Sequence, residues 1–222
     1  MIPVPHSLDP PGSRLLDALA STGQLTGGSH PATIVASTGL GPGPVLSAMV
    51  QRARDRGNVR VLVLSVLGVH PDARAPRLRE LWEIEETARE SGLPVLTLRL
   101  APIIGPHSPL WMKLRSRPRL GPEGNTLLNP VAESDVVETL AKAFREEEDW
   151  SGWYEVAGEE VLTLAELAAL AQHAGPALPE GAGAWEPALR EMAEARLADP
   201  APWRQRFDLR PVRVIEQAGA WN

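Results

Sequence analysis

Between residues 13 and 104 the chain alternates short apolar runs with segments of helical period, and this alternation restricts the fold more than any other feature. Three runs read as strands: Ala32 to Ser37, Val59 to Ser65 and Pro94 to Leu100. Each is mostly apolar along its length, where a strand with one wet face would alternate apolar and polar residues. Between the first two, Leu46, Met49, Val50 and Ala53 recur at helical spacing and stop at Gly57, a natural C-cap. Between the second and third, residues 76–91 form a charged helix with Leu78, Leu81, Trp82 and Ala88 turned inward. Strands that alternate with helices in this way predict an α/β fold, a mostly parallel sheet flanked by helices.

The flanks are less regular. Residues 1–12 are proline-rich and read as an extended arm, and Ser13 to Ser21 carries Leu15, Leu16, Leu19 and Ala20 on one face of a short helix. Beyond Gly105 a loop rich in Pro, Gly and Arg (residues 105–125) leads to a predicted strand from Thr126 to Val131. A helix bearing Val136, Val137, Leu140, Ala141 and Phe144 follows, then a strand from Trp153 to Ala157. Thr163-Leu-Ala-Glu166 is a capping box that opens a helix from Leu164 to His173. Residues 175–187 read as a loop, 188–198 as a helix, and the tail ends in an aromatic, Trp221. The predicted organisation is an α/β core over residues 1–104 and a smaller, mainly helical C-terminal lobe over 105–222, with 126–150 returning to the core.

Composition excludes several chemistries. The 222 residues contain no Cys, which removes disulfides, thiolate metal sites and cysteine nucleophiles. Five scattered His show no ligand spacing, so no metal site is expected. No G-x-S-x-G elbow is present. At a net charge of −6 the chain is poorly suited to tracking a phosphate backbone, and no nucleic-acid partner is expected. Arginines recur at Arg52, Arg54, Arg56 and Arg60 and at Arg115, Arg117 and Arg119, which read as solvated helix ends and loops, offset by the acidic run Glu146 to Asp149. No apolar stretch is long enough to span a membrane and no signal peptide opens the chain, so the expectation is a cytoplasmic protein.

Gly39-Leu-Gly41-Pro-Gly43 lies between a strand and a helix, where dinucleotide-binding loops belong. The spacing departs from G-x-G-x-x-G, and Pro42 and Pro44 lack the N–H groups that would cradle phosphate. The following strand ends in Leu64-Ser65 with no carboxylate to take a ribose. A tight connection accounts better for the loop.

Four segments in order resemble the extended and atypical short-chain dehydrogenase/reductase superfamily, near its NmrA-like and sugar-epimerase-like branches. Asn58 to Asp72 resembles a strand ending in a Ser-rich turn. Glu90-Ser-Gly92-Leu to Arg99, with Ala101-Pro-Ile-Ile-Gly105-Pro, resembles "SGL…T-x-L-R-P-x-x-x-Y-G-P". Asn129 to Val137 resembles "P-V-x-V-x-D-V-A", and Tyr154 to Leu164 resembles "Y-x-L-x-G-P-x-x-L-T". The resemblance runs from about residue 32 to 171 and implies a Rossmann-like core with a substrate lobe.

Two departures shape the expected function. The unit that holds adenosine and pyrophosphate in that family has at most a remnant here, Ser7-Leu-Asp9, so the resemblance implies a truncated Rossmann-like core. The family's Y-x-x-x-K, in which Lys lowers the pKa of a proton-donating Tyr, falls on Arg77 and Leu81. The sole Tyr, Tyr154, has Gly158 four residues on, and the only lysines are Lys113 and Lys142, so the pair exists nowhere in the chain.

The expectation is a non-catalytic binding or regulatory protein with no cofactor, NAD(P) being the alternative. Weak catalytic candidates are Ser65 and His70, and the residual cleft would be Ser37, Ser65, Arg99 and Pro102. An enzyme with another mechanism, an isomerase or dehydratase, would draw on His70, Ser65, Arg99 and Asp135. A half-enzyme whose partner supplies the nucleotide site is the third reading. The partner is an unknown small molecule or protein. In the order 3-2-1-4-5-6, losing the first strands leaves Ala32–Ser37 as an apolar edge, which the N-terminal arm or the second subunit of a homodimer would cover.

Overall fold

A computed structural model describes residues 32–36, 50–51, 59–145, 150–174, 192–194 and 197–221. The N-terminal arm and first helix, the glycine loop, Ser37, most of the helix that ends at Gly57, the acidic run 146–149 and the loop 175–187 lie outside them. The fold is α/β. The chain divides into two compact units, Met1–Arg99 with Thr139–Tyr154, and Leu100–Glu138 with Glu155–Asn222.

The first unit is organised by a four-stranded sheet of β1 (Ala32–Ala36), β2 (Val59–Val66), β3 (Val95–Leu100) and β7 (Trp153–Val156), in the order β1-β2-β3-β7. β1 and β2 run parallel, with Ala32 opposite Val59 and Ala36 opposite Val63. Thr97 N–H donates to Gly152 O and Ala101 N–H to Val156 O, so β3 and β7 advance in the same direction. Helix α1 (Pro76–Arg89) starts with Pro at its first turn, where the missing N–H costs nothing. Ile84 and Ala88 pack on Val61, Val63 and Val95, while Leu78 and Leu81 join Val66, Val69, Ala73 and Ala75.

The opposite face of β2 corrects the expectation for Arg60. It is 2% exposed, not solvated. Strand alternation turns it away from Val61 and Val63, and its guanidinium lies 3.7 Å from the ring centroid of Trp150. Its Nη2 donates to Phe144 O at 3.3 Å, and Trp150 Nε1 donates to Val61 O at 3.0 Å.

The second unit is built from helices and strand pairs of two residues each. β4 (Ile103–Ile104) pairs parallel with β6 (Val131–Ala132), and β5 (Leu127–Leu128) pairs antiparallel with β8 (Leu162–Thr163). The single strand expected over Thr126–Val131 is thus two strands in different sheets, parted at Asn129-Pro130, because Pro130 has no N–H to continue a ladder. Helix α2 (Pro109–Arg115) is capped by Ser108, whose Oγ accepts Trp111 N–H at 3.2 Å and donates to Ile103 O at 2.5 Å. Helix α3 (Glu133–Arg145) begins in this unit and ends in the first.

Helix α4 (Leu164–His173) opens on the expected capping box: Glu166 N–H donates to Thr163 Oγ1, and Glu166 Oε2 accepts Thr163 N–H at 2.7 Å. Helices α5 (Ala201–Phe207) and α6 (Val214–Gln217) complete the lobe. Its core gathers Ile104, Trp111, Leu114, Leu128, Leu164 and Leu167, and Trp221 stands edge-on to Trp111 at 5.3 Å. Of the predicted helix 188–198, residues 192–194 are helical and 197–198 are not.

Candidate functional site

The strand end that carries Ser65 is the natural starting point, since ligands of open α/β sheets gather at the carboxyl ends of strands. Ser65 is 1% exposed and its Oγ has no hydrogen-bond partner among the described residues. A buried hydroxyl without a partner forfeits a hydrogen bond that water would have supplied. His70 is not placed as its base. The imidazole is exposed; Nδ1 accepts Asp72 N–H at 3.2 Å and the ring lies 6.2 Å from that of Trp82.

The helix after this strand decides what Ser65 can do. In the resembled family this helix carries the Tyr and Lys of the proton relay. Here Arg77 is half-buried, and Leu81, at 1% exposure, is packed among Val69, Ala73, Ala75 and Leu78. This helix carries neither Tyr nor Lys, so the relay of the resembled family is not assembled on it.

Arg99 is not a free cleft residue either. Its Nε donates to both oxygens of Glu85 at 3.1 and 3.2 Å and its Nη2 to Oε2 at 2.6 Å. The indole of Trp153 covers the guanidinium at 4.7 Å. Val95 and Arg99 are alternate residues of β3 and both face α1, where Ile84 and Glu85 are neighbours. Sequence reading missed Glu85 because nothing marks an acidic residue on a charged helix as buried. The available signal was the strand parity that points Arg99 at that helix.

The remaining candidates belong to the second unit. Pro102 is half-buried and its carbonyl accepts Val131 N–H at 3.1 Å, which ties β4 to β6. Asp135 is buried on α3 and Oδ2 accepts Val212 N–H at 2.9 Å, fastening the C-terminal segment. Burial pushes its carboxyl up to about 6, partly offset by the Val212 N–H and reinforced by Glu138. Ser65 and Arg99 therefore lie in the first unit and Pro102 and Asp135 in the second, while Ser37 lies outside the described residues.

One further polar pair had no sequence signal, its members being 26 residues apart. Glu133 Oε2 accepts His107 N–H at 3.0 Å, and Oε1 lies 3.2 Å from His107 Nδ1. A Cβ on Gly105 would come within 2.4 Å of Glu133 Oε2, so only glycine lets the carboxylate close over this turn. No helix among the described residues is long and apolar enough to cross a membrane.

The geometry defines a class first: a Rossmann-like α/β core with a mainly helical lobe. Neither a family model nor a curated protein matches the sequence. Solved structures do. TunA, an NAD-dependent NDP-hexosamine 5,6-dehydratase of tunicamycin biosynthesis, aligns at 16% identity and TM-score 0.67, over 95% of this chain and 93% of its own. A nucleoside-diphosphate-sugar epimerase from Staphylococcus aureus aligns at 14% and 0.65, over 93% and 80%. The Bordetella bronchiseptica enzyme WbmG, in complex with NAD and UDP, aligns at 17% and 0.56, over 94% and 75%. The chain has the fold of the extended short-chain dehydrogenases/reductases.

These neighbours overturn the expectation that no cofactor binds. TunA is NAD dependent and WbmG was solved with NAD, so the fold carries the dinucleotide, and an irregular glycine loop is no ground for excluding it. The described residues nonetheless do not fit a dinucleotide used for hydride transfer. The resemblance puts the family's ribose-holding Lys at the buried Leu81, and α1 carries no Tyr. No chemical step is derived through NAD.

Proposed function

We propose that this chain is a non-catalytic member of the short-chain dehydrogenase/reductase fold, a binding or regulatory protein that takes a nicotinamide dinucleotide as a ligand and not as a hydride carrier. The observation that carries the reading is twofold: Leu81 on α1 is sealed in an apolar cluster, and Ser65 Oγ on the preceding strand has no partner among the described residues. The fold neighbours supply the ligand class. A cofactor-independent isomerase or dehydratase finds less support: His70 is not paired with Ser65, and Arg99 is committed to Glu85.

Seven tryptophans make the test direct. NADH, NADPH and NAD⁺ are titrated while fluorescence quenching and Tm are followed. At a hundredfold excess over Kd a ligand stabilises the native state by about 2.7 kcal/mol, which raises Tm by roughly 5–10 °C for a chain of this size. Saturable binding with no oxidation of NADH in the presence of sugar nucleotides is the expected outcome. Turnover by the purified chain sinks the non-catalytic half, and an unmoved Tm at saturating dinucleotide sinks the ligand half.

β1 stands at one end of the strand order among the described residues. We propose that a second subunit or the N-terminal arm covers it, since an open apolar edge invites pairing. Light scattering that gives a monomer, together with rapid amide exchange along Ala32–Ala36, would refute both covers.

A further inference from the structure

The charges of this chain are unevenly placed. From Ser91 to Pro122 there is no Asp or Glu, although the whole chain carries a net charge of −6. The same stretch holds Lys113, Arg115, Arg117 and Arg119 at every second position. Lys113 and Arg115 sit in the last turn of α2, where cations complement the helix dipole. Arg117 and Arg119 lie beyond the helix and need another explanation.

Both are exposed, and neither has a partner among the described residues. That sets them apart from Arg89, Arg99, Arg204 and Arg213, which are paired with Glu86, Glu85, Glu159 and Glu160. Arg117 is also left-handed, with φ 56°, immediately after the helix. That position usually takes glycine, and a residue with a Cβ there costs on the order of 1 kcal/mol. Arg117 N–H donates to Leu114 O at 3.1 Å and Ser116 Oγ to Lys113 O at 2.7 Å, so the turn that presents the two guanidiniums is hydrogen-bonded.

We propose that the segment Lys113–Arg119 is a docking surface for an acidic polypeptide segment of a partner protein. Two exposed guanidiniums on either side of Pro118 suit a chain of carboxylates laid across the surface better than an enclosed small anion. A long nucleic acid is disfavoured because the rest of the chain is acidic, and its repulsion acts on every phosphate that extends past the patch. A short acidic segment meets only the local field, which is screened within about 8 Å at physiological salt. The surface is independent of whether a dinucleotide binds.

The test uses fluorescently labelled hexaglutamate with the full chain, read by anisotropy. Binding is expected to be saturable at low salt and to weaken on the order of tenfold or more as the Debye length falls from about 30 Å at 0.01 M to about 8 Å at 0.15 M. R117E/R119E is expected to weaken it by a similar factor with unchanged Tm, and R117Q/R119Q by less. R210E supplies the control, because Arg210 is exposed and without a described partner but lies outside the patch. The proposal is overturned if hexaglutamate does not bind, if R210E weakens binding as much as R117E/R119E, or if inorganic triphosphate displaces it at equal concentration. Salt-sensitive dimerisation that R117E/R119E abolishes would assign the patch to a second copy of this chain and overturn it as well.

Discussion

Replacing Glu85 by Gln tests whether Arg99 is a structural cation. The Arg99 and Glu85 side chains are 17% and 8% exposed, and the guanidinium meets the carboxylate through both Nε and Nη2. Glu85→Gln keeps the shape and removes the charge, leaving a largely buried guanidinium opposite a neutral amide. Breaking a buried pair on one side costs about 3–5 kcal/mol, and one hydrogen bond to the Gln oxygen retains part of that, so a loss of about 3 kcal/mol is expected. In thermal terms this is a fall in Tm of roughly 6–12 °C. Trp153 continues to cover the cation at 4.7 Å, worth roughly 1 kcal/mol, which keeps the loss below the upper limit. Urea titration of wild type, E85Q, R99L and R99L/E85L reads the cycle. The double variant should recover to within about 1 kcal/mol of wild type, because two apolar side chains leave no charge unpaired. E85Q within about 0.5 kcal/mol of wild type, or a double variant as unstable as E85Q, would refute the pairing and return Arg99 to the list of free cleft residues.

Further outcomes follow from other sites. Asp135 has a native pKa of about 6 against a reference of 3.8, so its contribution to stability is fully present below about 3.8 and is lost as pH rises through 6. The span is on the order of 3 kcal/mol, and Asp135→Asn should flatten the stability profile between about pH 4 and 6.5 in paired denaturation curves. Thr163→Ala removes the acceptor for Glu166 N–H and should cost about 1 kcal/mol by urea titration, with Thr163→Ser close to neutral. Gly158→Ala places a methyl group 2.1 Å from the backbone oxygen of Pro130, which cannot turn aside as a side chain can; a loss on the order of 4 kcal/mol in denaturation experiments is expected.

Much of the first unit is legible in the sequence. The runs Val59 to Ser65 and Pro94 to Leu100, and the helix between them, are recognisable because a strand buried on both faces and an amphipathic helix each leave a periodic trace. The Thr163–Glu166 box was legible because capping is a contact between residues three apart. The strand over Thr126–Val131 was misread because propensity cannot show that Leu127 and Val131 pair with different partners on either side of Pro130. The candidate site was legible only as residue types. Ser65, His70 and Arg99 are polar groups near strand ends, but a hydroxyl needs a base and a cation needs to be free before either is functional, and both conditions depend on distant residues.

The sequence by itself determined the α/β class, through the alternation of periods, and the absence of the Y-x-x-x-K spacing, which is a property of the residue order alone. Tertiary structure alone decided that Arg60 is buried beneath Trp150, that Arg99 belongs to Glu85, and that Glu133 closes over Gly105. The physical reason is the same in each case. Local periodicity records which face of an element is apolar, but the free energy of a charge is set by whichever partner the fold brings within a few ångströms, and that partner is remote in the chain.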